Sequence, residues 1–150
     1  MSDFQICAAT STGDEAWSRL RAALWPDCSI ERLNLERELY RRSPGAVALA
    51  VDENDHAFGF AEVSIRREHV TGSRDDVVPY LEGWYVDEAW RGKQVGRALI
   101  DFVSDWARSA GYREIASDAE LENVLSQHVH KRLGFREVDR TVSFIKDLDA

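Results

Sequence analysis

The chain is poor in cysteine: Cys7 and Cys28 are the only two in 150 residues. They form no Cys-x-x-Cys and fall at no metal-ligand spacing, which excludes a disulfide framework and gives no metal site. Both read as free packing thiols of a cytosolic protein, and no His or Asp neighbour in sequence makes Cys28 a nucleophile. No apolar run approaches the ~20 residues needed to cross a bilayer, so no membrane partner is expected. The opening residues, MSDFQICAATSTGDEAW, have neither a basic n-region nor an apolar h-region, so a cytoplasmic location is expected. Repeats, low-complexity stretches and Pro/Gly/Ser-rich linkers are also missing. One domain spanning 1–150 follows.

Lys and Arg number 19 against 27 Asp and Glu, a formal charge of -8. Such a chain repels phosphate backbones, which argues against nucleic-acid binding and favours a cationic small molecule or a basic peptide. The hydrophobic share of 44% is enough for a real core.

Hydrophobic spacing sets the expected elements. Phe4 to Ala8 reads as a first strand. Thr12 or Asp14 caps a helix with Trp17, Leu20, Ala23 and Leu24 at helical spacing, ending near Pro26. A second helix fits Ile30 to Tyr40, with Leu33, Leu35 and Leu39 inward and Ser43-Pro44-Gly45 as its stop. Ala46 to Val51 and Ala57 to Arg66 form a hairpin about Asp52-Glu53-Asn54-Asp55. After the polar loop Thr71 to Asp76 comes a strand over Val77 to Val86. Val95 to Ser109 is a strongly amphipathic helix, with Leu99, Ile100, Phe102, Val103 and Trp106 inward and Gly111 as its stop. Glu114 to Ser117 is a short strand, Asn123 to Leu133 a helix ended by Gly134, and Phe135 to Lys146 a final strand pair. The order β-α-α-β-β-β-α-β-α-β-β predicts an α+β, mixed α/β, domain around one central mixed sheet.

The densest chemistry lies in VDEAWRGKQVGRALIDF, residues 86–102. A strand runs into a turn and a helix begins at once. Amides at a helix start are unpaired and carry positive partial charge, so they suit a phosphate or pyrophosphate. Gly92 and Gly96 allow close approach. Arg91, Lys93 and Arg97 set three cations beside the turn in an otherwise acidic chain. The segment matches neither Gly-x-x-x-x-Gly-Lys-Ser/Thr nor Gly-x-Gly-x-x-Gly, so nucleoside triphosphate hydrolysis and hydride transfer lose ground.

Arg91-Gly92-Lys93-Gln94-Val95-Gly96-Arg97-Ala98-Leu99 is similar to motif A of the GNAT acyltransferases, with Gln94 where the family usually has its middle glycine. Asn123, Ser126, His130 and Leu133-Gly134-Phe135 match the second half of the same signature, with His130 where many members carry a tyrosine. The resemblance implies a GNAT-like fold and acetyl-CoA as co-substrate. Arg91, Gly92, Lys93, Gln94, Val95, Gly96, Arg97 and Asn123 would hold coenzyme A, the backbone of Trp84, Tyr85 and Val86 would pair with its pantetheine arm, and the Val86 N–H would face the developing oxyanion.

Within that family the chain resembles the aminoglycoside 6′-N-acetyltransferases. The residues that carry this are Leu24-Trp25-Pro26, Ile65-Arg66 before the loop with His69, Leu81-Glu82-Gly83, Ala116-Ser117-Asp118 and Glu122-Asn123. The resemblance implies that Trp25, His69, Glu82, Asp118 and Asp139 line a site for a cationic, aminoglycoside-like small molecule; His69 replaces a more usual tyrosine and Asp139 a glutamate. It also implies a homodimer, because related enzymes build part of the cleft from a neighbouring subunit.

Acyl transfer to an aliphatic ammonium needs a base, and a carboxylate at a strand end suits the task. Asp118 is the first candidate catalytic residue and Glu82 the second; each has an ordinary alternative as a capping or solvated carboxylate. His130 can donate a proton or pack, while His56 and His128 read as surface residues. Acetylation of another amine (a polyamine or a protein N-terminus) and non-catalytic acyl-CoA binding are the alternatives. Retention of both Glu82 and Asp118 argues against the second.

Overall fold

In a computed structural model the described residues are 3–9, 14–42 and 45–149. The chain divides into two compact units, 1–117 and 118–150. The first contains β1 (Phe4–Ala8), α1 (Asp14–Leu24), α2 (Ile30–Arg42), β2 (Ala46–Asp52), β3 (Ala57–Arg66), β4 (Val78–Val86), α3 (Val95–Ser109) and β5 (Ala116–Ser117). The five strands lie in the order β1-β2-β3-β4-β5, antiparallel except for the parallel β4–β5 pair. This is the expected mixed sheet.

Strand alternation directs the two faces to different helices. Leu49 pairs with Phe60, and both join Trp17 and Leu20 of α1 in one core cluster. The next pair, Ala50 and Gly59, faces the other way; the space beside Gly59 is bounded by Leu99 of α3 and by Ala50 itself. On α3, Val95, Leu99, Ile100, Val103 and Ala107 are buried, whereas Phe102 and Trp106, also expected inward, flank that stripe and are only half-buried. Gly111, at φ +91°, ends that helix as expected. The β2–β3 turn is shaped by Asp52, whose Oδ1 accepts from the N–H groups of Asn54 (2.8 Å) and His56 (3.0 Å).

Two expectations about the second helix need comment. Leu33 is 4% exposed, but Leu35 and Leu39 are 63% and 59% exposed. The inward stripe of α2 is instead Leu33, Glu36 and Tyr40, at helical spacing from one another. Of the expected caps and stops, Thr12 and Ser43-Pro44 lie outside the described residues.

The second unit, 118–150, is built on α4 (Val124–Arg132). Asn123 caps it, its side chain accepting from the Ser126 N–H at 3.0 Å, and Gly134 follows at φ +95°. The expected strand pair over Phe135–Lys146 is absent among the described residues: residues 135–149 run without a turn or bend and without helix or strand. A hairpin needs a reversal and a ladder needs a partner, and this segment has neither.

The buried polar pair of the first unit joins α1 to β3. Arg21 and Glu62 are 1% and 0% exposed and form an ion pair. The second Glu62 oxygen accepts from Trp17 Nε1 at 2.9 Å, and Arg21 Nη2 reaches Glu36 of α2 at 2.7 Å. Burial pushes the Glu62 carboxyl up to about 7, against the opposing pull of Arg21 and the hydrogen bonds from Arg21 and Trp17; the Glu36 charge pushes the same way as burial. A carboxyl whose pKa is raised in the folded state stabilises the fold below its ordinary value of 4.5, and that contribution is lost as pH rises to about 7. Denaturant titrations should therefore show the stability difference between wild type and Glu62→Gln shifting against wild type by a few kcal/mol from pH 4.5 to 7. A difference constant across that range would contradict the assignment.

Candidate active site

A pocket of about 370 Å³ opens over the Arg21–Glu62 pair, lined by Arg21, Trp25, Glu36, Leu39, Tyr40, Glu62, Ser64 and Glu82. The exposure of Leu39 follows from its place at this opening. The Arg21 guanidinium lies 4.8 Å from the Trp25 ring centre and 5.6 Å from that of Tyr40, so the cation that pairs with Glu62 also seats two aromatic walls. Phe60 meets Trp25 edge-on at 6.3 Å. Gly83 makes room for this arrangement: a Cβ there would sit 2.7 Å from Trp25 Cη2 and 3.1 Å from Phe60.

Glu82 reaches the pocket through a bulge. Glu62 pairs with Gly83 but the next residue, Val63, pairs with Leu81, so Glu82 has no residue opposite it. An extra residue in one strand re-aims a side chain, and bulges recur beside active sites for this reason. The Glu82 carboxylate is held by Ser64 Oγ (2.9 Å) and by a two-point contact from Arg66, Nε at 2.7 Å and Nη2 at 2.9 Å. Burial and the neighbouring Glu62 and Glu82 charges raise the Tyr40 hydroxyl well above its usual range, so Tyr40 stays neutral throughout physiological pH.

Further along, β4 parts from β5. Their ladder ends after the Tyr80–Ala116 and Leu81–Ser117 pairs, and no strand among the described residues of 1–117 lies along that side of Gly83–Val86. The Asp87 N–H donates to the Phe58 carbonyl at 2.7 Å on the β3 side, so by alternation the Val86 N–H points to the open side. The Val86 carbonyl takes Arg91 Nε at 2.9 Å.

The turn after β4 is anchored by aromatic contacts. Trp90 stacks on Phe58 at 3.8 Å, with Phe4 edge-on to both rings. Lys93 Nζ sits 5.2 Å over Trp90, and the Arg91 guanidinium 5.6 Å over Tyr85. Gln94, the residue before α3, adopts φ +67°, which explains why glycine suits this position; a side chain there costs ~1 kcal/mol. The Gln94 side chain makes no cap bond, leaving the first amides of α3 to an outside acceptor. A Cβ at Gly96 would lie 3.1 Å from the Trp84 ring, so the helix start is also packed close to β4. An open strand edge, uncapped helix amides and fixed cations form a donor set that fits a pyrophosphate joined to an amide-bearing arm.

The family model for the acetyltransferase (GNAT) family matches residues 14–135. The chain belongs to the GNAT acetyltransferase family. It is 42% identical over 144 residues to the aminoglycoside N(6′)-acetyltransferase type 1 of Stenotrophomonas maltophilia, covering 96% of this chain and 94% of the relative. To the enzyme of that name from Serratia marcescens it is 39% identical, covering 89% and 92% of the two chains. Among solved structures it is similar to AAC(6′)-Iy in complex with the bisubstrate analogue CoA-S-monomethyl-acetylneamine, with a TM-score of 0.90 at 35% identity over 97% of this chain and 99% of that one.

Of the residues expected to line a substrate site in this GNAT chain, Trp25 and Glu82 share the pocket. His69 does not line it; it lies exposed in the loop after β3. Asp118 is the exposed residue directly after β5, within 118–150. Asp139 is exposed, its oxygens accepting from the Arg140 N–H (2.9 Å) and Thr141 Oγ1 (3.1 Å). Asn123 is engaged as the α4 cap, while His130 Nδ1 meets the Ser126 carbonyl at 2.7 Å and its ring meets Phe135 edge-on. Among the described residues no group of His, Cys, Asp and Glu can hold a metal ion.

The sequence pattern assigned no site role to Arg21, Glu36, Tyr40, Glu62, Ser64 or Arg66. Two signals were present: Glu62 interrupts the apolar strand AFGFAEV, and Arg21 occupies the inward stripe four residues after Trp17. A charge at an inward position is buried only when paired.

Proposed function

We propose that this chain transfers acetyl from acetyl-CoA to the 6′-amine of aminoglycosides by direct attack of the amine on the thioester. The observation that carries the reading is the pocket itself, an aromatic wall at Trp25 facing carboxylates at Glu82, Glu62 and Glu36. A ring with several ammonium groups finds an apolar face and charge-assisted acceptors there. The likeness to aminoglycoside acetyltransferases along nearly the whole chain supports it, and the family match across both units supports reading 1–150 as one acetyltransferase domain.

In this reading Arg91, Lys93, Arg97 and the amides of Val95 and Gly96 hold the pyrophosphate, with Gly92 and Gln94 shaping the turn. The Trp84–Val86 edge, including Tyr85, pairs with the pantetheine arm, and the Val86 N–H stabilises charge on the thioester oxygen. Asn123, the cap of α4, is assigned to the coenzyme A site by the family resemblance. Asp118 takes the proton that the substrate ammonium must lose, and Glu82, already engaged by Arg66, binds the amine rather than deprotonating it. His69 and Asp139 meet outer parts of the substrate. The free Cys7 and Cys28 are in keeping with work in the reducing cytosol.

The chain works as a homodimer. Val138, Val142, Phe144, Ile145 and Leu148, on the segment 135–149 that has neither helix nor strand, are 47% to 94% exposed. Large apolar side chains left exposed on one segment call for a partner, and a second copy is the partner most available to it. Asp139 on that segment would then serve the neighbouring cleft. Sedimentation should give a dimer for wild type and a monomer for Phe144→Asp; two equal masses would contradict this assembly.

The functional test is kcat/KM for a panel of amines. Compounds with a 6′-amine should exceed 6′-hydroxy analogues, simple polyamines and N-terminal peptides, and Asp118→Asn should lower kcat by ~10²-fold with acetyl-CoA affinity unchanged. A polyamine or peptide outrunning every aminoglycoside would overturn the substrate assignment.

A further inference from the structure

We infer that Arg66 and Ser64 are positioning residues that fix the Glu82 carboxylate with one acceptor site, on Oε2, left open to a substrate N–H. The inference rests on the proposed binding of a 6′-amino sugar in the Trp25–Glu82 pocket.

The geometry comes from two adjacent strands. Glu62, Ser64 and Arg66 alternate along β3 and share a face, and the β4 bulge turns Glu82 to meet Ser64 and Arg66. An ionised carboxylate offers about four acceptor sites, two on each oxygen. Oε1 takes Ser64 Oγ at 2.9 Å and Arg66 Nε at 2.7 Å, which fills it. Oε2 takes Arg66 Nη2 at 2.9 Å and keeps one site.

Arg66 is itself fixed, its guanidinium lying 3.4 Å over the Tyr80 ring. A planar guanidinium that forks onto both oxygens sets the plane of the carboxylate as well as its position, which a lysine cannot do. It also offsets the Glu82 charge. Glu82 therefore recognises an amine by direction: an N–H must arrive at one place and from one side. This makes the Arg66–Ser64–Glu82 group a determinant of which amine is presented for acylation.

Arg66 is 42% exposed in its side chain at the end of β3, so replacing it removes little core packing. The test is calorimetry with neamine and with acetyl-CoA, together with steady-state kinetics, for wild type, Arg66→Met, Arg66→Lys and Ser64→Ala. Arg66→Met should raise the neamine Kd and KM about tenfold or more, with the acetyl-CoA Kd unchanged and kcat altered far less than KM. Arg66→Lys should recover part of the loss, since it keeps one donor but not the fork, and Ser64→Ala should show a smaller loss of the same kind. Unchanged neamine affinity in Arg66→Met would overturn the inference, as would tighter binding, which would make Arg66 a competitor of the substrate for Glu82. A parallel loss of acetyl-CoA affinity would reduce Arg66 to a structural role and equally overturn it. If Arg66→Met fails to fold, the Arg66→Lys and Ser64→Ala results decide on the same criteria. A wild-type chain that neither binds nor acetylates neamine would instead overturn the proposed function, and this inference with it.

Discussion

The ion pair between Arg21 and Glu62 is the contact on which the rest of the first unit's chemistry depends. Removing both charges from water costs several kcal/mol per ion, repaid only when every remaining donor and acceptor is met. Here Glu62 also takes Trp17 Nε1 and Arg21 also donates to Glu36, while the Arg21 Nε–H is left buried without a hydrogen-bond partner. The guanidinium faces then lie against Trp25 and Tyr40. One buried cation thus ties α1, α2 and β3 together and fixes the walls of the pocket above it. An apolar floor of the same shape could be as stable, but it would offer the aromatic walls no cation and would leave the pocket without the Glu62 carboxylate.

The second constraint is that β4 serves two sites at once. Near its middle the bulge turns Glu82 toward the pocket, and within four residues the separation from β5 opens the edge that ends at Val86. In the proposed function, an amine held at Glu82 and an acyl group held at Val86 would therefore be placed by a single strand. Their relative position is insensitive to loop motion, which is how a rigid element achieves near-attack geometry. The aromatic trio of Phe4, Phe58 and Trp90 extends that rigidity into the turn that carries Arg91 and Lys93.

Much of this was legible from periodicity. The α3 stripe, its Gly111 stop, the hairpin about Asp52 and the Asn123 cap all follow from local spacing and side-chain chemistry. The resemblance to the family signature singles out the turn before α3, and the positive φ of Gln94 gives the reason that glycine suits that place. Other features are tertiary and left weaker marks. Leu35 and Leu39 looked inward because an apolar residue at helical spacing ordinarily is; the stripe was taken instead by Glu36 and Tyr40, whose partner Arg21 comes from another helix. The bulge at Glu82 cannot be seen in one strand, since it is a property of a register between two. The strand pair expected over Phe135–Lys146 rested on scattered apolar residues, and these specify neither a register nor a partner.

The account's central claim is that the amine presented for acylation is the one held between Trp25 and Glu82. The most direct test is the structure of the product: neamine acetylated by the purified enzyme, with the acetylated nitrogen assigned by two-dimensional NMR. The account predicts one product carrying the acetyl group on the 6′-nitrogen. Acetylation at another amine, or a mixture of positions, would contradict it.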